Sequence, residues 1–378
     1  MKKRIQIIII LIISLFTLTG CYYTRGIDGS YFITALGLDE ADGGLLKISV
    51  QIASTSGKSE SSGSSQASSY KIFSVEATTI DEGISILNNY LNRQINLSHC
   101  SALIISEKLA KAGVKTYFNT FSNNSELRHS CKLIVSSTTA TDVLENIANS
   151  GEVFSSRLFD YLTASADYTG FTIESTFGTF FQAIHNNSFE PIAIYITVND
   201  NTVQTSGVAI FKDEFMIGHI DALDTICHLI VTNELNTCIL TIDNPFDTQE
   251  KLDLEVSLYK DTKTSVQIIN GSPYITLEVY PEGTIRSSGS TFNYIDYNNI
   301  ETVENTANNY IERILKEYLY NITKNYDSDI VGFEGICKSQ YLTEKEFETI
   351  HWEEIFKDSF FDVSIKTKIN SSNLFNKE

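Results

Sequence analysis

Residues 1–21 constrain this chain more than any other segment. Basic residues at positions 2–4 precede an apolar run at 7–16, and Leu-Thr-Gly at 18–20 leads directly into Cys21. This order is typical of a bacterial lipoprotein signal, with small residues before the cysteine for the peptidase. We expect residues 1–20 to be removed and Cys21 to carry S-diacylglycerol and N-acyl groups, such as palmitate.

A plain signal peptide and an N-terminal anchor helix are the alternatives for this segment. The apolar run at 7–16 is short for a membrane span, which needs about 20 residues. No apolar run after residue 20 is long enough to span a membrane. The sequence therefore predicts an exported body without a transmembrane helix. Two or three acyl chains would hold it durably at the membrane, because each buried CH₂ contributes about 0.8 kcal/mol.

The charge of the chain excludes one class of partner. The full sequence has a formal net charge of −19, and removing the three basic residues at positions 2–4 makes it −22. Nucleic-acid binding requires clustered Lys and Arg, so we expect no nucleic-acid partner. Anionic lipid headgroups would also repel such a body, and the acyl anchor therefore has to supply the membrane affinity.

The cysteines indicate no metal site. Besides Cys21 there are five, none spaced as C-x-x-C: Cys100, Cys131, Cys227, Cys238 and Cys337. Buried free thiols are the simplest interpretation. Cys100 and Cys131 each open a predicted strand of the same domain, so they could lie close together. The sequence leaves a disulfide between them open, because the Cα separation that it requires is not visible.

Strand and helix patterns predict an α+β fold of three domains, with mixed or antiparallel sheets packed against helices. We place an N-terminal domain at 21–190, a small middle domain at 191–250 and a C-terminal domain at 251–378. Nine of the sixteen residues at 54–69 are serine, which predicts a flexible loop within the first domain. The apolar stripe of residues 300–322 predicts a long helix at about 298–326. Core packing is favoured over partner binding for this stripe.

Helix starts are indicated by two capping boxes. Thr79 with Glu82, and Thr343 with Glu346, have the T-x-x-E spacing that satisfies two backbone donors at a helix N-terminus. Each pair precedes an apolar periodicity of three to four residues. The sequence therefore predicts helices that begin after Thr79 and after Thr343.

Catalytic signatures are not found in the sequence. It contains no GxxxxGK, GxGxxG, HExxH or GxSxG motif. His99 and Cys100 are adjacent, but neighbours on a strand point to opposite faces and would not form a catalytic pair. Asp39, Asp42 and Gly43 resemble part of a calcium loop that lacks its later glutamate. We therefore predict no catalytic residue, no cofactor, no metal and no enzymatic activity.

Five stretches in order along the chain carry a family resemblance. They are residues 18–21; 35–39 (ALGLD) with 47–52 (KISVQI); 73–77 (FSVEA) with His99 and 102–110 (ALIISEKLA); 207–212 (GVAIFK) with 217–218; and 329–334 (DIVGFE) with Trp352 and 361–363. Together they resemble the C-subunit lipoproteins of nutrient germinant receptors in spore-forming bacteria, the Ger(x)C family. Tyr22 and Tyr23 stand where that family usually has Trp-Asp.

The resemblance implies three α+β domains and a non-enzymatic receptor subunit. It also implies a complex with an A-type and a transporter-like B-type membrane subunit, on the outer face of the spore inner membrane. Such receptors respond to nutrients and start germination, and the resemblance does not say whether the C subunit itself binds a nutrient. The alternatives are a substrate-binding lipoprotein of an uptake system, for which two similar lobes are expected, and a secreted hydrolase. The different strand pattern after residue 252 disfavours two similar lobes.

Overall fold

The computed structural model describes residues 4–6, 29–53, 70–149, 162, 164–185, 189–199, 202–247, 249–288, 294 and 297–372. Three predictions fall outside these residues: the apolar run at 7–16, the lipidation site Cys21 and the serine-rich loop at 54–69. The described part of the chain forms two sheets with helices packed on them, which confirms the α+β class with mixed sheets.

The first sheet runs in the order β3-β2-β1-β5-β6-β7-β8-β9, with β4 paired to the start of β1. Its strands are β1 Ser30–Glu40, β2 Leu46–Ala53, β3 Tyr70–Ala77, β4 Gln94–Asn96, β5 Ala102–Ser106, β6 Lys132–Ser136, β7 Ile192–Asn199, β8 Thr202–Lys212 and β9 Phe215–Ile220. The centre is parallel, because β1, β5, β6 and β7 run in one direction. Both flanks are antiparallel hairpins.

Helices cover both faces of this sheet. They are α1 Ile80–Tyr90, α2 Glu107–Ala112, α3 Lys115–Ser122, α4 Ala140–Asn149, α5 Phe177–His185 and α6 Ala222–Thr232. Every residue of β5 is buried, as expected for a parallel strand enclosed on both sides. Leu103 and Ile105 enter the core beneath α1–α3, whereas Ile104 enters the core beneath α4 and α6. The alternation of β5 thus separates two apolar layers.

The second sheet has the order β10-β11-β12-β13, with β14 also paired to β12. Its elements are β10 Cys238–Asp243, β11 Lys251–Ile269, β12 Ser272–Ser288, α7 Tyr297–Tyr320, α8 Phe333–Lys338, α9 Glu344–Glu348, α10 Trp352–Ile355, β13 Phe360–Ile365 and β14 Lys368–Ser372. A π-type turn, Asn321–Asn325, continues α7. This agrees with the long helix predicted at 298–326. Its stripe packs into the core, since Val303, Ile314 and Ile322 are fully or almost fully buried.

Sheet membership differs from the predicted division at residue 190. Strands β7–β9 lie in the predicted middle domain, yet β7 pairs with β6 and continues the first sheet. A parallel partner many residues away cannot be read from local pattern, which explains the difference. The second sheet begins at β10, inside the same predicted domain. The division into three domains itself stays a prediction.

Both predicted helix starts are capped by their threonine. Thr79 Oγ1 accepts the Glu82 N–H at 3.2 Å, and Thr343 Oγ1 accepts the Glu346 N–H at 3.3 Å. The return bond of the first box is shifted by one residue, because Glu82 Oε2 accepts the Thr78 N–H at 2.8 Å. The glutamate therefore satisfies the backbone N–H of Thr78 instead of that of Thr79, and both residues lie beside the helix start.

None of the helices in the described residues combines the length and apolar character that a membrane span requires.

Candidate functional site at the junction of the two sheets

The predicted cysteine pair lies together in the structure. Cys100 and Cys131 precede the neighbouring strands β5 and β6, and their Sγ atoms are 3.9 Å apart. Both are buried and present as free thiols. The contact with Cys100 and burial hold the pKa of Cys131 well above its usual value. The predicted proximity is confirmed, and the disulfide stays open.

His99 and Cys100 do not form a pair. His99 is exposed, and its Nδ1 lies 3.1 Å from Ser98 Oγ. Cys100 is buried and its thiol donates to the Ala102 carbonyl at 3.3 Å. Within the described residues, no three His, Cys, Asp or Glu side chains are arranged to hold a metal ion.

Asp39 binds a helix. Its Oδ1 accepts the Ala140 N–H at 2.6 Å, and its Oδ2 accepts the N–H and the hydroxyl of Thr141 at 3.0 and 2.8 Å. These donors start α4, so the carboxylate at the end of β1 fixes that helix to the sheet. A Cβ on Gly37 would stand 3.1 Å from the Ala140 Cβ, so glycine allows this close packing. The ALGLD stretch, which contains Gly37 and Asp39, thus has a structural role.

The two sheets meet along the β8–β9 hairpin and the segment 326–334. Lys212 Nζ donates to the backbone oxygen and to Oδ2 of Asp327, at 3.0 and 2.8 Å. The Ser328 hydroxyl donates to the Phe211 carbonyl at 2.8 Å. Tyr326 Oη donates to the His219 carbonyl at 2.8 Å. Phe211 and Lys212 of the GVAIFK stretch therefore contact residues 327–328, which lie directly before the DIVGFE stretch.

Glycines shape the β8–β9 side of the junction. Gly207 has φ +113°, and a Cβ there would stand 1.9 Å from the Ile220 carbonyl oxygen. A Cβ on Gly218 would stand 2.4 Å from the ring of Tyr326. Only glycine permits the strands and the tyrosine to approach in this way.

Asp329 caps α8 from a buried position. Its Oδ1 accepts the N–H groups of Gly332 and Phe333 at 3.0 Å each, and its Oδ2 accepts the Glu334 N–H at 2.7 Å. Its backbone oxygen accepts the Glu190 N–H at 3.1 Å. One residue therefore closes the turn into α8 and ties it to the start of β7.

Carboxyl groups crowd this part of the junction. Burial raises the pKa of Glu190 to about 7, that of Glu334 to about 7 and that of Asp329 to about 6. Charge repulsion from Asp329 raises the pKa of Glu190 and of Glu334 further, whereas the backbone donors around Asp329 lower the pKa of Asp329 itself. They line a cavity of about 70 Å³ whose one basic side chain, Lys212, is bound to Asp327. The group can take up protons near neutral pH.

A larger cleft of about 720 Å³ adjoins this cavity through Ala183 and Phe189. His228 lies in its wall, and burial lowers the pKa of this residue to about 4. Its ring is therefore neutral near pH 7, with Nδ1 2.9 Å from Tyr318 Oη. The charged lining residues are Glu174, which binds Lys132, and Glu234. The volume would accommodate a small molecule.

From the sequence, Asp329 and Glu334 were named only as part of the DIVGFE stretch, without a role, and Glu190 was not named. The usual sequence signal does not find Asp329, because a capping residue is expected directly before the helix, where Gly332 stands. Nothing local marks Glu190, since its neighbours at the junction come from residues 213 and 329.

Comparison with known proteins places this arrangement in a family. The family model "Spore germination protein N-terminal domain" matches residues 24–198, and "Spore germination B3/GerAC like, C-terminal" matches residues 206–373.

Individual relatives match almost end to end. Spore germination protein KC of Bacillus subtilis (strain 168) is 21% identical over 100% of this chain and 98% of its own. Putative spore germination protein YfkR of the same organism is 23% identical over 95% of this chain and 94% of its own. A crystal structure of the GerBC protein covers 89% of this chain and 96% of its own, with a TM-score of 0.56 and 19% identity, which shows a shared fold.

Proposed function

This chain belongs to the Ger(x)C family of spore germination proteins, and from that membership we propose that it is the lipid-anchored C subunit of a nutrient germinant receptor. In this proposal it acts with an A-type and a B-type membrane subunit on the outer face of the spore inner membrane. It contributes to triggering germination without carrying out a chemical step.

The observation that carries the proposal is the pair of consecutive family matches at 24–198 and 206–373. Between them they account for both sheets and the junction. Three of the five stretches that resemble the family have a structural role: Asp39 fixes α4, Asp329 caps α8, and Gly207 and Gly218 permit the close approach at the junction.

The anchor is proposed from residues 18–21 and the basic and apolar residues before them. An acyl group on Cys21 is the attachment that this order of residues offers. Its partners in the complex would then reach the body at the membrane surface.

A substrate-binding lipoprotein is less well supported. Two similar lobes around a hinge are expected for that class, whereas the described residues form one sheet of nine strands and one of five with different strand orders. The junction between them is fastened by Lys212, Tyr326 and Ser328. Such contacts fit a fixed arrangement better than a hinge.

Substituting Cys21→Ala tests the anchor and its function together. We expect the variant to incorporate no labelled palmitate, to leave the membrane fraction of broken spores and to slow nutrient-triggered germination. Tyr22→Ala is the matched control, because it changes the neighbouring residue and keeps the thiol. Germination by a non-nutrient route should proceed at the same rate in all strains.

Two results would count against the proposal. A Cys21→Ala protein that stays in the membrane fraction with normal germination would show that acylation is not required. Purification of the full chain from detergent-solubilised spore membranes without any multi-span partner would contradict the complex.

A further inference from the structure

We propose that the end of the first sheet where β1 begins rests on the membrane and forms the surface that meets anionic lipid headgroups. This inference rests on the anchor at Cys21 proposed above. It adds which face of the body the membrane touches and which side chains meet the headgroups.

The length of chain between anchor and fold carries the first step. Eight residues, 22–29, lie between Cys21 and Ser30, where β1 begins. A chain extends at most about 3.6 Å per residue, so this segment spans about 30 Å at most, whatever its conformation. The start of β1 therefore stays close to the membrane.

Strand direction carries the second step. Strand β1 leads away from the anchor. Strands β4 and β5 each pair with β1 in parallel, β6 pairs in parallel with β5, and β7 pairs in parallel with β6. The segments that precede these strands consequently lie at the same end of the sheet as Ser30. The opposite end, at Glu40, is about 35 Å away, because β1 has 11 residues that rise about 3.3 Å each.

The side chains at the two ends differ in charge. Exposed basic and imidazole groups precede β4, β5 and β6, and we call Arg93, His99, Arg128 and His129 the tether-side rim. The opposite end carries the acidic groups Glu40, Asp42, Glu107 and Asp142 together with Lys47, Lys108 and Lys111, and Lys108 and Lys111 are paired with Glu40 and Glu107. In a chain with a net charge of −19, this local reversal is unusual.

Contacts hold the rim together beside the tether. His99 lies edge-on to Phe32 with ring centroids 4.5 Å apart, and the Arg93 guanidinium lies 5.4 Å from the centre of the Tyr31 ring. The approach of Cys100 to Cys131 joins the segments that carry His99 and His129. Glu126 is the acidic neighbour, and its Oε2 accepts the Leu97 N–H at 3.1 Å.

Electrostatics then favours one orientation. An anionic surface repels the acidic body as a whole, while juxtamembrane Lys and Arg are attracted within a Debye length of about 8–10 Å. The other half of this end carries Asp213 and Glu214 at the β8–β9 turn, with Lys115 near Glu214. The positive part is therefore confined to β1, β4, β5 and β6, next to the tether.

The test uses the full acylated chain in vesicles. A fluorophore is placed on Gln94→Cys at the rim or on Asp42→Cys at the far turn, both exposed positions. The five cysteines after Cys21 are buried, so a maleimide reaches the introduced thiol first. With a quencher on the lipid headgroups, we expect quenching about threefold or more greater at position 94, since the ends lie about 35 Å apart. Equal quenching, or greater quenching at position 42, would overturn the inference.

Charge is tested with Arg93→Glu/Arg128→Glu against the control Lys47→Glu/Lys108→Glu at the far end. In vesicles of roughly three parts phosphatidylcholine to one part phosphatidylglycerol, we expect the rim variant to lose most of the quenching at position 94. In pure phosphatidylcholine both variants should match the parent chain. If the rim variant is unchanged in the anionic vesicles, lipid charge is not what the rim recognises, and the headgroup assignment is wrong.

Failure of the anchor gives a different result. A full chain that incorporates no palmitate and does not float with either kind of vesicle contradicts the proposed lipidation. A chain that floats and is acylated, but shows no preference between positions 94 and 42, contradicts only the orientation. Arg93→Gln/Arg128→Gln gives a milder form of the charge test if the reversal impairs folding.

Discussion

Asp39 and Asp329 perform the same task in the two halves of the molecule and differ in what surrounds them. Each is buried, with 2% and 6% of its surface exposed, and each accepts three hydrogen bonds at the start of a helix. The neighbours of Asp39 are hydroxyl groups: Thr141 Oγ1 donates to its carboxylate and lies 2.8 Å from Ser49 Oγ. Asp329 lies beside the carboxyls of Glu190 and Glu334.

The reach of the two aspartates differs as well. Asp39 binds donors 101 and 102 residues further along the chain, whereas Asp329 binds donors three to five residues away. The first contact holds α4 against β1 and so supports the tertiary fold. The second closes a local turn, and its carboxyl neighbours make the junction sensitive to pH. Similar capping chemistry thus supports assembly in one place and a proton response in the other.

Asp39→Ala is expected to have the largest effect. It removes three acceptor contacts and leaves the Ala140 and Thr141 donors buried without partners, which costs about 1–3 kcal/mol for each group. We expect a loss of about 4 kcal/mol in the free energy of unfolding of the first sheet, because these costs are not fully additive. Urea denaturation and hydrogen exchange of α4 would measure it.

Two variants bracket that result. Asp42→Ala, in the exposed turn that follows β1, should change stability by less than about 0.5 kcal/mol. Asp39→Asn keeps one acceptor oxygen and should fall between the two. An Asp39→Ala protein as stable as the parent chain would show that α4 is held by its apolar face alone.

The contrast between the two aspartates also explains which features of the fold and the site could be predicted from the sequence. Local pattern predicted both threonine caps and the long helix α7, since each depends on neighbours within a few residues. It did not show the partner of Asp39, because the start of α4 is about 100 residues away. For the same reason β7–β9 were assigned to another domain. The raised pKa values of Glu190 and Glu334 arise from burial at the junction, which no segment shows alone.

A pH dependence confined to the junction is expected next in size. The pKa values of Glu190, Glu334 and Asp329 in the folded protein exceed their ordinary values, so folding favours the protonated carboxyl groups. Their contribution to the free energy of unfolding is therefore fully present below about pH 4. It is lost as the pH rises through 6 to 7. We expect the junction to be about 2 kcal/mol less stable at pH 8 than at pH 5, after a reduction for partial solvent exposure. Hydrogen exchange of α8 at the two pH values would measure it.

Glu334→Gln separates this response from a general effect of pH. The amide cannot ionise, so the difference between pH 5 and pH 8 should shrink by about half in exchange of α8. Glu348→Gln, on the neighbouring α9, is the control and should leave the difference as it was. A Glu334→Gln protein with the same difference between pH 5 and pH 8 as the parent chain would show that Glu334 is not a source of the pH response.

The smallest effect is expected for the ion pair beside Asp329. Lys212 and Asp327 have 39% and 37% of their side-chain surfaces exposed, and exposed pairs contribute at most about 1 kcal/mol. Lys212→Met should therefore cost less than about 1 kcal/mol at pH 5. Lys212 also lowers the pKa of Glu190, so its loss should move the midpoint of the pH response upward. Lys338→Met, which removes the exposed pair with Glu344, is the control for stability. If Lys212→Met lowered stability by several kcal/mol at pH 5, the ion pair rather than the buried carboxyl group would dominate the junction.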